Sequence, residues 1–382
     1  MAHRFVLLFS LVLASCWHES DGLSIQTMKA SPVRIDDIIT DYSFIPFMES
    51  DSLVANIMRI KSYNDRIFLF DESDLSIYVL QCDDGKTVLR KLSAKGRAKY
   101  EYLDISSFAF LDQTNEIVLY DRYARMLKMY SCDSLDFQRS VPVSNYINAM
   151  EVLDSNHLLV VKEKDGESKA QLATLSLSDG TLNQVMPLRE DQADLMLDIA
   201  LVNNGINDVS VCVPGYPNQI VSISNNHGLF PIIDICFTDS VFDRKYWRGG
   251  FGKRKEEYLL NSLASIKNDR CASVLPSLFL QKGKDYAFWF VSGEKIYKHN
   301  LPKMNLCVVR NGEPKVFSSI LLADDSVVIQ PVGIVHGKYA CYFDLDELKE
   351  DKLDAPHSEL QKALLQQKRI GTKSIVLLFN VL

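Results

Sequence analysis

Tyr246, Trp247 and Arg248 stand side by side in the stretch SVFDRKYWRGGFGKRK. Aromatic faces stack on sugar rings, and a planar guanidinium pairs with carboxylates, so the trio is a candidate ligand-binding set. Tyr100, Glu101, Tyr102 and Arg122 form a second set of the same chemical kind. Immediately after the trio, Gly249-Gly250-Phe251-Gly252-Lys253 has the glycines of a phosphate cradle. A P-loop, however, needs four residues between its first glycine and the Gly-Lys pair, then a hydroxyl for magnesium; Arg254 occupies that place. The segment reads as a flexible loop leading into the basic first turn of a helix. Neither a G-x-S-x-G elbow nor an H-E-x-x-H helix occurs, and the seven histidines never fall four apart. The cysteines show no C-x-x-C spacing. The expectation is therefore no metal and no cofactor. Asp71 and Asp121, which recur at equivalent places, read as aspartates that bond their own turns.

Cys16 has a different chemistry. His3 and Arg4, the apolar run Phe5 to Val12 and the small residues Ala14 and Ser15 have the three-part layout of an export signal. The run is shorter than the roughly 20 residues a spanning helix needs. Leu13-Ala14-Ser15-Cys16 resembles the bacterial lipobox, which implies cleavage before Cys16 and acylation of its sulfur, with palmitate among the chains. Residues 1–15 are then a signal peptide and 16–35 a tether. A net charge of -7 gives no general attraction to nucleic acid, so DNA and RNA are excluded as partners. A hydrophobic content of 47% against 24% charged describes an ordered chain.

The elements that must position these residues emerge when the chain is slid against itself by 50 positions. DRIFLFDESDLSIYVLQCD, from Asp65, lies without a gap over NEIVLYDRYARMLKMYSCD, from Asn115. Each copy reads as strand, aspartate-opened turn, strand and polar turn. Weaker copies begin at Asn156 and Asn207, and further strand pairs at Asp285 and Val332. A period of 40 to 50 residues made of short strands marks propeller blades. The expected fold is all-β: a six-bladed β-propeller over 36–382 with a short loop-helix insertion at 240–270 and a short C-terminal helix in SELQKALLQQK. Cys82 and Cys132 occupy equivalent places in neighbouring blades, too far apart for a disulfide. Closing the ring requires pairing both chain ends, and Ser374 to Leu382 with DYSFIPF are the expected closure pieces.

With the repeats in hand, the chain resembles the six-bladed β-propeller lipoproteins abundant in Bacteroidetes. FIPFMESDSLVANIMRI looks like their entry strand, and SIVLLFNVL like their closing strand. KGRAKYEYLDISSF keeps Gly96, Glu101 and Tyr102 of a G-x-G-P-x-E-Y turn, with Ala98 and Lys99 in place of its second glycine and its proline. The resemblance implies the fold and an outer-membrane, lipid-anchored location. The functional expectation is a non-catalytic scaffold binding a glycan, a peptide or an envelope protein. The competing expectation is a polysaccharide hydrolase or lyase with acids gathered in the central channel.

Overall fold

The structure, a computed structural model, describes residues 22–25, 31–47, 57–83, 86–166, 169–188, 201–205, 208–213, 218–224, 229–237, 272–292, 303–322, 328–345 and 358–382. The chain opens with three strands, β1 (Gly22–Ile25), β2 (Ser31–Arg34) and β3 (Asp41–Phe47). Blade 1 follows as β4 (Ile57–Tyr63), β5 (Arg66–Asp71), β6 (Ser76–Asp83) and β7 (Lys86–Leu92). Blade 2 is β8 (Ser107–Leu111), β9 (Glu116–Asp121), β10 (Met126–Ser131) and β11 (Phe137–Pro142). Blade 3 is β12 (Ile147–Val152), β13 (His157–Lys162), β14 (Gln171–Ser176) and β15 (Leu182–Pro187). Blade 4 is β16 (Leu201–Gly205), β17 (Asp208–Val213), β18 (Asn218–Ser224) and β19 (Leu229–Phe237). Blade 5 is β20 (Ala272–Lys282), β21 (Asp285–Ser292), β22 (Lys303–Arg310) and β23 (Glu313–Leu321). Blade 6 is β24 (Gly333–Val335), β25 (Lys338–Asp344) and β26 (Ser374–Asn380), with β3 as its outermost strand. The innermost strands β8, β12, β16, β20, β24 and β4 touch in that order, and Lys61 of β4 reaches the Phe108 carbonyl of β8, completing the ring.

The 50-residue repeat is a repeat of backbone. In blade 1 the hairpin ends on the pair Asp71↔Ser76, in blade 2 on Asp121↔Met126. Both aspartates bond their own turns: Asp71 Oδ1 accepts from Ser73 N at 2.9 Å and Asp121 Oδ1 from Ala124 N at 3.1 Å. The last turn residue is left-handed in each, Leu75 at φ 56° and Arg125 at φ 52°.

Successive side chains of a strand point to opposite faces, and in a blade both faces are buried against neighbours. That is why the strands read as continuous apolar runs. In β5, Phe68 and Phe70 pack against Phe108, Ile117 and Leu119 of blade 2, whereas Ile67 and Leu69 pack against Ala340, Val376 and Leu378 of blade 6. Equivalent clusters fill the other blade-to-blade seams. Each fully buried large apolar side chain contributes roughly 1.5–3 kcal/mol.

The expected closure is present: β26 pairs antiparallel with β3 from Ser374↔Phe47 to Asn380↔Asp41. The expected tether is corrected in part. Within 16–35, β1 pairs in parallel with β19 of blade 4 and β2 with β23 of blade 5, so the chain straps the outer edges of blades 4, 5 and 6 in turn. Leu23 and Ile25 are buried in the seam between blades 4 and 5 and Ile35 in that between blades 5 and 6.

The C-terminal helix α1 (Glu359–Arg369) lies between β25 and β26. Ser358 Oγ caps it by accepting from Gln361 N at 3.2 Å, and Lys368 and Arg369 sit favourably in its last turn. Leu360, Leu364 and Leu365 form its buried face, and Gln361 Nε2 donates to the Leu322 carbonyl at 2.8 Å. Among the described residues no helix is long and apolar enough to cross a membrane. The 240–270 insertion lies outside the described residues.

Cys132 is a free, buried thiol, as are Cys307 and Cys341. Burial pushes the first two up to about 12 and Cys341 well above its ordinary value.

Candidate functional site

Strands alternate in direction across each blade, so its turns divide between two rims. The lower rim carries the turns joining first to second and third to fourth strands. The upper rim carries the turns between second and third strands and every connection from one blade to the next. In blades 1 to 3, the described lower-rim turns 64–65, 112–115, 132–136, 153–156 and 177–181 hold Asp65, Asp112, Asp133, Asp136, Asp154 and Asp179 and no lysine or arginine. Arg66 reaches down from β5 to pair with Asp133 at 2.7 Å.

Above blade 2 the chemistry reverses. The loop from β7 to β8 exposes Lys95, Arg97, Lys99 and Tyr100; the turn 122–125 reads Arg-Tyr-Ala-Arg, and Tyr146 follows from the β11–β12 connection. Tyr123 is 77% exposed and Tyr100 56%. The Arg122 and Arg125 guanidiniums lie 5.9 and 5.5 Å from the centre of the Tyr146 ring, within cation–π range. Arg122 is also held by Glu163 of blade 3 at 2.6 Å. Among the described residues no carboxylate is in ion-pair contact with Arg125, Lys95, Arg97 or Lys99.

The sequence candidates separate here. Tyr100 and Arg122 both lie on upper-rim segments, Tyr100 on the connection from blade 1 to blade 2 and Arg122 on the β9–β10 turn of blade 2. Tyr102 is corrected from a ligand contact to a structural residue: it is fully buried, and its hydroxyl donates to the Leu75 and Leu92 carbonyls at 2.9 and 3.2 Å. Burial pushes this phenol up to about 12. Glu101 is likewise part of the loop's frame. Its carboxylate accepts from Ala98 N at 2.8 Å and lies where a Cβ on residue 96 would sit, so any larger residue there would have to displace it. Paired bonds, Gly96 N to the Tyr102 carbonyl and Tyr102 N to the Ala94 carbonyl, close the loop. Lys128, buried with Asp121, donates to the Glu101 carbonyl, and Tyr130 donates to the Tyr100 carbonyl at 2.8 Å. Burial lowers the Lys128 pKa, with Asp121 and Glu101 opposing. Tyr246, Trp247 and Arg248 lie outside the described residues. Their segment joins β19 to β20, a blade-to-blade connection of the same class as 93–106.

Sequence reasoning missed Tyr123, Arg125 and Tyr146. The signal was in the repeat: Glu72, Ser73, Asp74 and Leu75 fall on Arg122, Tyr123, Ala124 and Arg125, so one turn loses two acids and gains two cations and an aromatic.

The inner strands of the six blades surround the central channel. The six inner strands, IMRIKSY, SFAFL, INAMEV, LVNNG, ASVLPSLFLQK and GIV, contain one carboxylate, Glu151, and no histidine. Lys61 of blade 1 pairs with it across the ring at 3.0 Å and donates to the Phe108 carbonyl at 2.7 Å. Ser107 Oγ accepts from Met150 N at 3.1 Å. This lacing joins blades 1, 2 and 3. Two-carboxylate glycoside hydrolysis needs acids about 5 to 9 Å apart, and these strands supply one. Among the described residues no group of three or more His, Cys, Asp or Glu side chains is placed to hold a metal ion.

The fold has solved counterparts. A Bacteroides fragilis NCTC 9343 protein described as exported superposes with a TM-score of 0.72 at 14% identity, over 94% of this chain and 99% of that one. A member of the duf4221 family from Bacteroides vulgatus gives 0.50 at 7% identity, over 90% and 97%. No curated protein matches the sequence. The family model DUF5128, described as a 6-bladed beta-propeller, matches residues 18–261, more than half the chain. With six blades, a ring closed by β3 and β26 and that match, the chain belongs to the DUF5128 family of six-bladed β-propellers.

Proposed function

We propose that this protein is a lipid-anchored recognition module of the bacterial cell envelope, outer membrane included, that binds a glycan through the upper rim of its propeller and does not cleave it. One observation carries the reading: the only carboxylate of the six inner strands is engaged with Lys61, while exposed aromatic and unpaired cationic side chains gather above blade 2. The described exported relative supports an envelope location, and the Leu13-Ala14-Ser15-Cys16 motif supports the anchor.

The strap gives the anchor a direction. β1 runs parallel to β19, whose end leads to the upper rim, so the chain enters β1 from the lower-rim side. Cys16 is six residues before Gly22, a reach of at most about 22 Å. An anchor at Cys16 would thus leave the lower rim of blade 4 on the side nearer the bilayer, and several acyl chains make such an attachment stable.

Labelling with an alkyne palmitate analogue is expected to mark the protein and to lose the mark in Cys16→Ser; label retained in that variant would remove the anchor. For recognition, a panel of polysaccharides and peptides is screened for retention, followed by size analysis of every bound polymer. Retention with polymer length unchanged is the expected outcome. Shortened polymer would establish the hydrolase or lyase, and peptide-only retention would replace the glycan.

A further inference from the structure

We infer that the rim above blade 2 is a site for an acidic polysaccharide, with sugar carboxylates on Arg125 and the cations of the 95–99 turn and pyranose rings on Tyr123 and Tyr100. This deepens the glycan-recognition reading and rests on it.

Charge is the first argument. The chain as a whole carries -7, yet four exposed cations here have no carboxylate partner among the described residues. They sit opposite the lower-rim aspartates Asp112, Asp133 and Asp136, so the two rims of blade 2 differ in sign. Such a local field favours a polyanion at the upper end of blade 2 and disfavours one at its lower end.

Geometry is the second. Arg122 is fixed by Glu163 and lies over Tyr146, and Arg125 flanks the same ring, so the exposed guanidinium stands on a braced base. The 95–102 loop is tied to blade 2 through the Tyr130 hydroxyl and the Lys128 ammonium. A platform ordered before the ligand arrives does not spend binding energy on ordering loops. Arginine offers a carboxylate two parallel donors, a match to uronates.

The aromatic groups choose among polyanions. Two tyrosines with more than half their surface in solvent offer stacking faces to sugar rings, which an acidic peptide lacks. An anionic bilayer is disfavoured because the strap leads the anchor from the opposite rim.

The test measures binding of the purified full chain to polygalacturonate and alginate, to methyl-esterified polygalacturonate, to polyglutamate and to anionic phospholipid vesicles. The uronate polymers are expected to bind, to weaken as salt rises, and to lose affinity about tenfold in Arg125→Ala and in Tyr123→Ala, with Tyr123→Phe retaining it. Both positions are exposed, so an unchanged melting curve shows that the fold is intact. Equal binding of the methyl ester, indifference to both alanine variants, or preference for polyglutamate or vesicles would overturn the site. Binding of neutral glycans alone would overturn the acidic specificity and leave glycan recognition standing; no glycan binding at all would remove both.

Discussion

A chain that begins after Phe47 will not reach a cooperative native state. It lacks β3, so β26 loses its partner along seven residues, from Ser374↔Phe47 to Asn380↔Asp41. It also lacks β1, β2 and Ile35, uncovering the seams that Leu23, Ile25 and Ile35 fill. Those three burials alone are worth roughly 5–9 kcal/mol at 1.5–3 each, and an unpaired edge on β26 invites association. Folded domains hold about 5–15 kcal/mol in total, so the expected product is aggregated or non-cooperative by thermal circular dichroism and sedimentation. A sharp melt near that of the full chain would mean that the strap is not part of the fold. Removing only β1, with β3 retained, should lower stability without opening the ring.

Lys61→Met is expected to cost about 1.5–3 kcal/mol, the usual consequence of removing one partner of a charge-assisted hydrogen bond that is partly buried. Glu151 is only 7% exposed and would lose its cation, and the Phe108 carbonyl would lose a donor. Adding Glu151→Gln to Lys61→Met should recover a large part of the loss, because the residual penalty of the single variant is an uncompensated carboxylate. Urea unfolding of these two, of Glu151→Gln alone and of the unchanged protein gives the coupling energy directly. A single-variant cost below about 1 kcal/mol would show that the pair is solvated and that Glu151 is available for other chemistry.

The blades were legible because period-2 patterning and the turn aspartates Asp71 and Asp121 are local signals, and the 50-residue register repeats them without a gap. The closure was legible because a ring must pair its ends. The strap was not. GLSI and SPVR are four-residue strands whose partners, β19 and β23, lie some two hundred or more residues on, and nothing local in so short a segment distinguishes a tether from an edge strand. Tyr102 was misread because tyrosine suits a binding surface and a core equally well; only the carbonyls of Leu75 and Leu92 decide between them. Arg122 lies in the turn 122–125, whose other members Tyr123 and Arg125 stand out once that turn is set beside 72–75. Lys61 and Glu151 come from blades 1 and 3, 90 residues apart, so their pairing is a property of the closed ring.

The claim that recognition belongs to the upper rim and not to the channel is tested most directly by amide hydrogen exchange with and without polygalacturonate. Protection is expected in peptides covering 93–106, 121–126 and 143–146, with the inner strands 57–63, 107–111 and 147–152 unchanged. Protection centred on 57–63 and 147–152, around Lys61 and Glu151, would place the ligand in the channel and contradict it.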